Sequence, residues 1–246
     1  MKSQHQVILS IGTNQGNRLE NVERCIQLIY QEVGTVVKVS KVYETPSWGF
    51  DSEAFYNCAL VLHTSHSSHL ILEQALRIEK KMGRVRNLDF GYQSRIIDID
   101  LIAFDAEIID TENLQIPHPL LQNRKFVLLP MQDLNLDWVH PVLNKSIPEL
   151  IAITPDESVC EVVQNLQAPL DKIPLEKFNY VAFEGNIGAG KTTLTTKIAE
   201  DFNAKTVLER FADNPFLPKF YEDQNRYAFP LEMSFLADRY KQLSDD

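Results

Sequence analysis

Residues 83–104 read GRVRNLDFGYQSRIIDIDLIAF, and the second half of that stretch decides how the rest of the chain has to be arranged. Over 94–104, β-branched and apolar residues are interspersed with acids, the pattern of a strand whose side chains alternate between two faces. Asp98 and Asp100 then project from one face, and Ile97, Ile99 and Leu101 from the other. At roughly 3.3 Å of rise per residue the two carboxylates stand about 7 Å apart and repel each other unless a cation sits between them. Hard oxygen ligands at that spacing suit Mg²⁺, which takes one or two carboxylates and completes its shell with water and phosphate oxygens. Arg84, Arg86 and Arg95 bring three permanent positive charges beside the acids, in a chain whose formal net charge is −10. Guanidinium forks match phosphate oxygens. Paired acids or scattered arginines alone more often form a solvated face. Together, next to the Gly83 break and the glycine-bearing segment 87–93, they are the equipment for handling a nucleotide triphosphate.

The rest of the composition narrows the classes. A chain of 246 residues with 44% apolar residues has room for one large or two small domains with real cores. The acidic balance argues against a nucleic-acid binder that relies on a basic surface. Cys25, Cys58 and Cys160 are isolated and odd in number, which disfavours a disulfide frame or a zinc site and fits a reducing, cytoplasmic setting. No apolar run reaches the roughly 18 residues of a membrane span, and residues 1–6 are too polar for a signal peptide.

Working outward, residues 7–11 predict a strand, 12–17 a turn, and the spacing of Leu19, Val22, Ile26, Ile29 and Val33 a helix stopped by Gly34. Residues 36–43 and 55–63 predict two more strands. The loop between them carries Trp48 and Phe50, aromatics that by themselves read as packing. His63, His66 and His69 recur at intervals of three but need not converge, because the first ends a strand and the last opens a helix over 69–82. That helix is expected to bury Leu72, Leu76 and Ile78 or Leu70, and to deliver Glu79 and Arg84 to the end of the sheet where the aspartates lie. Residues 106–109 predict a short pairing strand, Ile116-Pro117-His118-Pro119 a rigid turn, and 126–136 and 146–153 small peripheral helices or turns.

Three motifs, R-I-E at 77–79, G-R-V-R at 83–86 and R-x-x-D-x-D at 95–100, resemble those of the hydroxymethyldihydropterin pyrophosphokinases of folate synthesis. The resemblance runs from Val7 to about Val163, and the chain also opens with a similar I-G-[ST]-N. It implies an α+β, ferredoxin-like domain that uses ATP and two Mg²⁺ ions held by Asp98 and Asp100. Arg84 and Arg95 would stabilise charge as the leaving oxygen departs, with Glu79, Arg84, Arg86, His118 and Arg124 on the ATP side. Thr45, Pro46, Phe55 and Asn57 match the pterin-pocket positions, with Phe126 supplying the second ring face and Asn57 reading the donor and acceptor edge. One departure is plain: the loop 88–93 lacks the arginine the family often carries before Arg95.

After a proline-bearing linker, residues 166–178, an expected strand at 179–183 runs into Gly185-Asn186-Ile187-Gly188-Ala189-Gly190-Lys191-Thr192. This satisfies G-x-x-x-x-G-K-[ST]: backbone amides cradle phosphate, Lys191 pairs with the outer phosphates and the Thr192 hydroxyl holds Mg²⁺. The surrounding FEGNIGAGKTT, LERFADNPFL and FYED resemble a deoxynucleoside kinase, which implies Glu209 as base toward a deoxynucleoside 5′-hydroxyl. With a second strand expected only at 205–208, the stretch 179–246 reads as the start of a P-loop α/β domain that looks cut short, and little kinase activity is expected of it. Domains are thus expected at 1–165 and 179–246. The favoured activity is diphosphate transfer from ATP to a hydroxymethylpterin; the alternatives are a deoxynucleoside kinase or a non-catalytic nucleotide-binding module, without nucleic-acid or membrane partners.

Overall fold

The computed structural model describes residues 4–47, 52–84, 94–172, 175–186, 188–211 and 214–244. The chain divides into two compact units, 1–174 and 175–246.

The first unit is built on β1 (His5–Thr13), α1 (Arg18–Glu32), β2 (Thr35–Val39), β3 (Val42–Thr45), β4 (Phe55–Thr64), α2 (Ser68–Lys81) and β5 (Asp98–Phe104). Two short ribbon strands, β6 (Ile109–Asp110) and β7 (Gln115–Ile116), precede α3 (Lys125–Asp133). A second ribbon, β8 (Val139–His140) and β9 (Lys145–Ser146), precedes α4 (Ile147–Ile153), and β10 (Glu161–Gln164) follows. The main sheet runs β10-β3-β4-β1-β5, with β2 also paired to β4, and its pairings are antiparallel.

Alternation along β1 sorts the sheet into two faces. Val7, Leu9 and Ile11 point into a core shared with α1 and α2, where Ile29, Ile71 and Ile78 are fully buried. Ile8 points to the other face with Ala59, Val61 and Ile102, covered by Val127, Leu128 and Met131 of α3 and Leu150 of α4. Full burial of each such side chain is worth about 1.5–3 kcal/mol, so the layer of α3 and α4 contributes substantially to stability. The expectation of peripheral helices at 126–136 and 146–153 is corrected accordingly: α3 closes a second core.

Other differences have local causes. The strand expected over 36–43 is two strands, because Ser40 leaves the ladder and donates its hydroxyl to the Lys41 carbonyl while accepting the Ala59 amide. On α2 the buried stripe is Ile71, Ala75, Ile78 and Met82, whereas Leu76 is 38% exposed. The 4-3-4 spacing keeps one face on the sheet, and Leu72 and Leu76 lie one step round the helix. The pairing strand expected at 106–109 is displaced to β6, since Asp105 and Ala106 make the turn, with Asp105 at φ 47°. Ala168 is buried in the first core, so packing continues into the stretch expected to be linker.

In the second unit α5 (Lys191–Asp201), α6 (Leu217–Glu222) and α7 (Gln224–Ser244) form as helices. No strand occurs among its described residues, so those expected at 179–183 and 205–208 are corrected. A strand needs a neighbour for its backbone groups; Tyr180 and Val181 are exposed, and the Leu208 amide and carbonyl bond instead to the Gln242 side chain. No described helix is long and apolar enough to cross a membrane.

Candidate active site

The face of the sheet that carries Ile8 and Ala59 turns polar toward one end. Ser10 pairs with Asp100 on one side and Ala59 on the other; two residues on, Gly12 pairs with Asp98 and with Asn57. The register therefore lays Asn57, Gly12 and Asp98 in one row across three strands. Above this row lies a cavity of about 300 Å³ lined by Ser10, Gly12, Thr45, Pro46, Phe55, Asn57, Arg84, Arg95, Asp98, Asp100, His118, Arg124 and Phe126.

One end of the cavity suits a flat ring. Asn57 and Thr45 are buried, and the Asn57 Nδ2 donates to Thr45 Oγ1 at 2.7 Å. That bond fixes the amide so that its Oδ1 is left toward Gly12, where a Cβ would come within 2.9 Å of it. Phe55 and Phe126 supply ring faces, and each has a guanidinium over it: Arg95 lies 5.7 Å from the Phe55 centroid and Arg124 5.7 Å from that of Phe126.

The other end is charged. Asp98 is gripped on one oxygen by Arg84 Nη1 and on the other by Arg95 Nη1. Arg84 also donates to Glu79 at 2.6 Å. Burial works against the Arg84 charge, but Asp98 and then Glu79 outweigh it and raise its pKa above the usual value. Asp100 lies 3.8 Å from Arg124. Burial, then the neighbouring Asp98, push the Asp100 carboxyl up to about 7, against the pull of Arg124 and Arg95. Its side chain keeps 32% of its surface open, so added positive charge can reach it. Burial, then Arg124, lower the His118 pKa to about 4, so its ring is neutral near pH 7; its Nδ1 accepts the Leu120 amide.

The structure thus brings together Thr45, Pro46, Phe55, Asn57, Arg84, Arg95, Asp98, Asp100, His118, Arg124 and Phe126. It does not bring Glu79 into the cavity lining: that carboxylate is 1% exposed and is spent on Arg84 and the Ile99 amide, 2.9 Å away. Arg86, Trp48, Phe50 and the loop lacking its arginine lie outside the described residues. Ser10 and Gly12 were not singled out from the sequence, although the run Ile8-Leu9-Ser10-Ile11-Gly12 carries the signal: its alternate positions become small where a ligand has to approach.

In the second unit, α5 begins at Lys191 directly after Gly190, at φ 82°, with Gly188 at φ 79°. Lys191 Nζ donates to the carbonyls of Gly185 at 2.6 Å and Asn186 at 3.0 Å, and Thr192 is exposed on the first turn. Glu209 is ion-paired with Arg239 at 3.0 Å.

The cleft sets aromatic faces and a fixed amide beside an arginine-held acid pair, on an antiparallel sheet covered by helices: the geometry of a site with one end for a flat ring and one for charge. The family model 7,8-dihydro-6-hydroxymethylpterin-pyrophosphokinase (HPPK) matches residues 8–136, and the chain belongs to that family. A second model, Deoxynucleoside kinase, matches residues 181–245, so sequence of both kinds is fused in one chain. The 2-amino-4-hydroxy-6-hydroxymethyldihydropteridine pyrophosphokinase of Aquifex aeolicus (strain VF5) is 33% identical over 58% of this chain and 88% of its own length. That of Bacillus subtilis (strain 168) is 36% identical over 51% and 75%. The folic acid synthesis protein fol1 of Pneumocystis carinii is 41% identical over 57% of this chain; the chain spans only 19% of that protein. Plasmodium falciparum HPPK-DHPS, wild type with pteroate, shares the fold at a TM-score of 0.52 and 17% identity, covering 62% of this chain and 44% of that one.

Proposed function

We propose that the first unit transfers the terminal diphosphate of ATP to the hydroxymethyl group of 6-hydroxymethyl-7,8-dihydropterin, giving AMP and the pterin diphosphate. One observation carries this: Asn57, Gly12 and Asp98 stand in adjacent register, so a ring read by Asn57 has its substituent over the acid pair. The substrate oxygen bonds to the β-phosphorus, the bond from that phosphorus to the oxygen bridging to the α-phosphate breaks, and AMP leaves with the electron pair while the hydroxyl proton passes to solvent. Phe55 and Phe126 orient the ring, and the fixed Asn57 Oδ1 accepts from a ring N–H. Arg84, Arg95 and Arg124 hold phosphate oxygens, and Arg84 is itself aimed by Glu79. His118, neutral, can offer a ring N–H without adding charge.

The donor set fits magnesium. Asp100 is pushed toward its neutral form where a hard cation would restore the carboxylate, and two carboxylates leave coordination positions for phosphate and water. Asp98, once Arg84 and Arg95 exchange its oxygens for those of phosphate, and Asp100 would hold two such ions, which when bound would shield and polarise the transferred phosphoryl group. The antiparallel order β3-β4-β1-β5, with α1 and α2 as crossovers, supports reading the sheet as ferredoxin-like. The same proposal includes a cytoplasmic setting and two domains, the first extended past the expected boundary at 165 because Ala168 packs in its core; a deoxynucleoside with Mg²⁺ at Thr192 and Glu209 as base is the alternative reading, for the second unit, of which little activity is expected. Incubating the full chain with ATP, Mg²⁺ and the reduced hydroxymethylpterin tests it: AMP matched one to one by pterin diphosphate supports it, and ADP, or no AMP, overturns it.

A further inference from the structure

Two of the cavity residues, Arg124 and Phe126, flank the first residue of α3, and that helix start is built in an unusual way. The residue before a helix normally turns its own side chain back to accept one of the unpaired amides. Arg124 makes no such bond; a guanidinium has only donors, and this one is committed to the cavity beside Asp100. The acceptor comes from 31 residues further on. Asp156 Oδ2 takes the Lys125 amide at 2.8 Å, and its Oδ1 takes the Ser158 amide at 2.9 Å. Lys125 Nζ closes the ring by donating to the Ser158 carbonyl at 3.0 Å. A negative charge at a helix N-terminus is also favourable toward the helix dipole; partial burial works against the Asp156 charge, but the bonds from Ser158 and Lys125 outweigh it and lower its pKa.

We propose that Asp156, which does not line the cavity, is a positioning residue for the pyrophosphoryl transfer: by capping α3 it fixes where Arg124 and Phe126 stand. The inference rests on the activity proposed above. Removing the cap frees the Lys125 amide and lets the helix start fray, so the arginine meets phosphate and the ring meets pterin less often in the right place.

The test compares Asp156→Ala with Asp156→Asn in the full chain, each alone and with Arg124→Ala, by steady-state AMP formation, with Lys125 and Phe126 amide exchange measured alongside. Asp156→Ala is expected to lower kcat/KM about tenfold, Asp156→Asn, which keeps one acceptor oxygen for the Lys125 amide, to restore part of it, and Asp156→Ala to cost clearly less in the Arg124→Ala background than alone, because only the placement of Phe126 is then left to lose. Lys125 amide exchange should quicken in the Ala variant and not in the Asn variant. The inference is overturned if kcat/KM stays within twofold of wild type, if the two substitutions add, or if Lys125 exchange is unchanged. An inactive wild-type chain sinks the activity proposal instead, and the exchange result still decides whether Asp156 holds the helix start.

Discussion

Gly12 is the position at which a single methyl group separates the two ends of the site. Its backbone is not in the left-handed region, so alanine meets no conformational penalty there, and the effect of Gly12→Ala is steric. The new Cβ lies 2.9 Å from Asn57 Oδ1, closer than such contacts are tolerated, but 4.0 Å from Asp98 Cβ, ordinary van der Waals distance. Asn57 is 4% exposed and tied to Thr45 at 2.7 Å, so it has to leave its rotamer and give up that bond. A lost buried hydrogen bond costs about 1 kcal/mol and an off-rotamer side chain about 0.5–1.5 kcal/mol. Together that is about 2 kcal/mol, a weakening of pterin recognition by about 30-fold. The acid pair is spared, so MgATP affinity should change by less than about threefold. The assay is AMP formation with each substrate varied in turn, and calorimetric titration of MgATP into the variant. A pterin KM within twofold of wild type, or equal losses toward both substrates, would refute the reasoning about Asn57.

Two further outcomes follow from charge and from the division of the chain. His118 has its pKa lowered from 6.5 to about 4 in the folded protein. Above pH 6.5 neither state binds the proton and the group contributes nothing; as pH falls from 6.5 toward 4 the unfolded chain binds it first, and stability is lost by up to about 3 kcal/mol. Urea midpoints of wild type and His118→Gln should therefore converge in slope above pH 6.5 and diverge below it, with the wild type falling faster; parallel curves would contradict the burial argument. In the second unit, Lys191→Ala should leave AMP formation from the hydroxymethylpterin within twofold of wild type while abolishing any ADP formed from a deoxynucleoside, both read from one nucleotide separation; loss of AMP would assign the P-loop lysine to the first reaction.

How far the sequence could be read depends on where the deciding forces lie. Alternation along β5 places Asp98 and Asp100 on one face from the residues alone, because the period of a strand is local. The row Asn57, Gly12, Asp98 needs the pairing register of three strands, which no single segment encodes. Leu76 misleads because either of two overlapping stripes on α2 satisfies a helical period, and only the sheet beneath chooses Ile71 and Ala75 over it. Glu79 is visible as a motif acid, but its burial against Arg84 and the Ile99 amide is tertiary. The cap of α3 spans 31 residues and leaves no pattern around Arg124. Strands expected at 179–183 and 205–208 fail for the opposite reason: local apolarity is present, and the neighbouring strands that would make it a sheet are not found among the described residues.

The acid pair of β5 is the centre of the account, and turnover by Asp100→Asn at saturating Mg²⁺ tests it most directly. The variant keeps the side-chain volume and removes the charge that burial and Asp98 already strain. The account predicts a melting temperature close to wild type and AMP formation reduced by about 10³-fold or more, the loss of several kcal/mol of transition-state stabilisation. AMP produced at more than a tenth of the wild-type rate would contradict it.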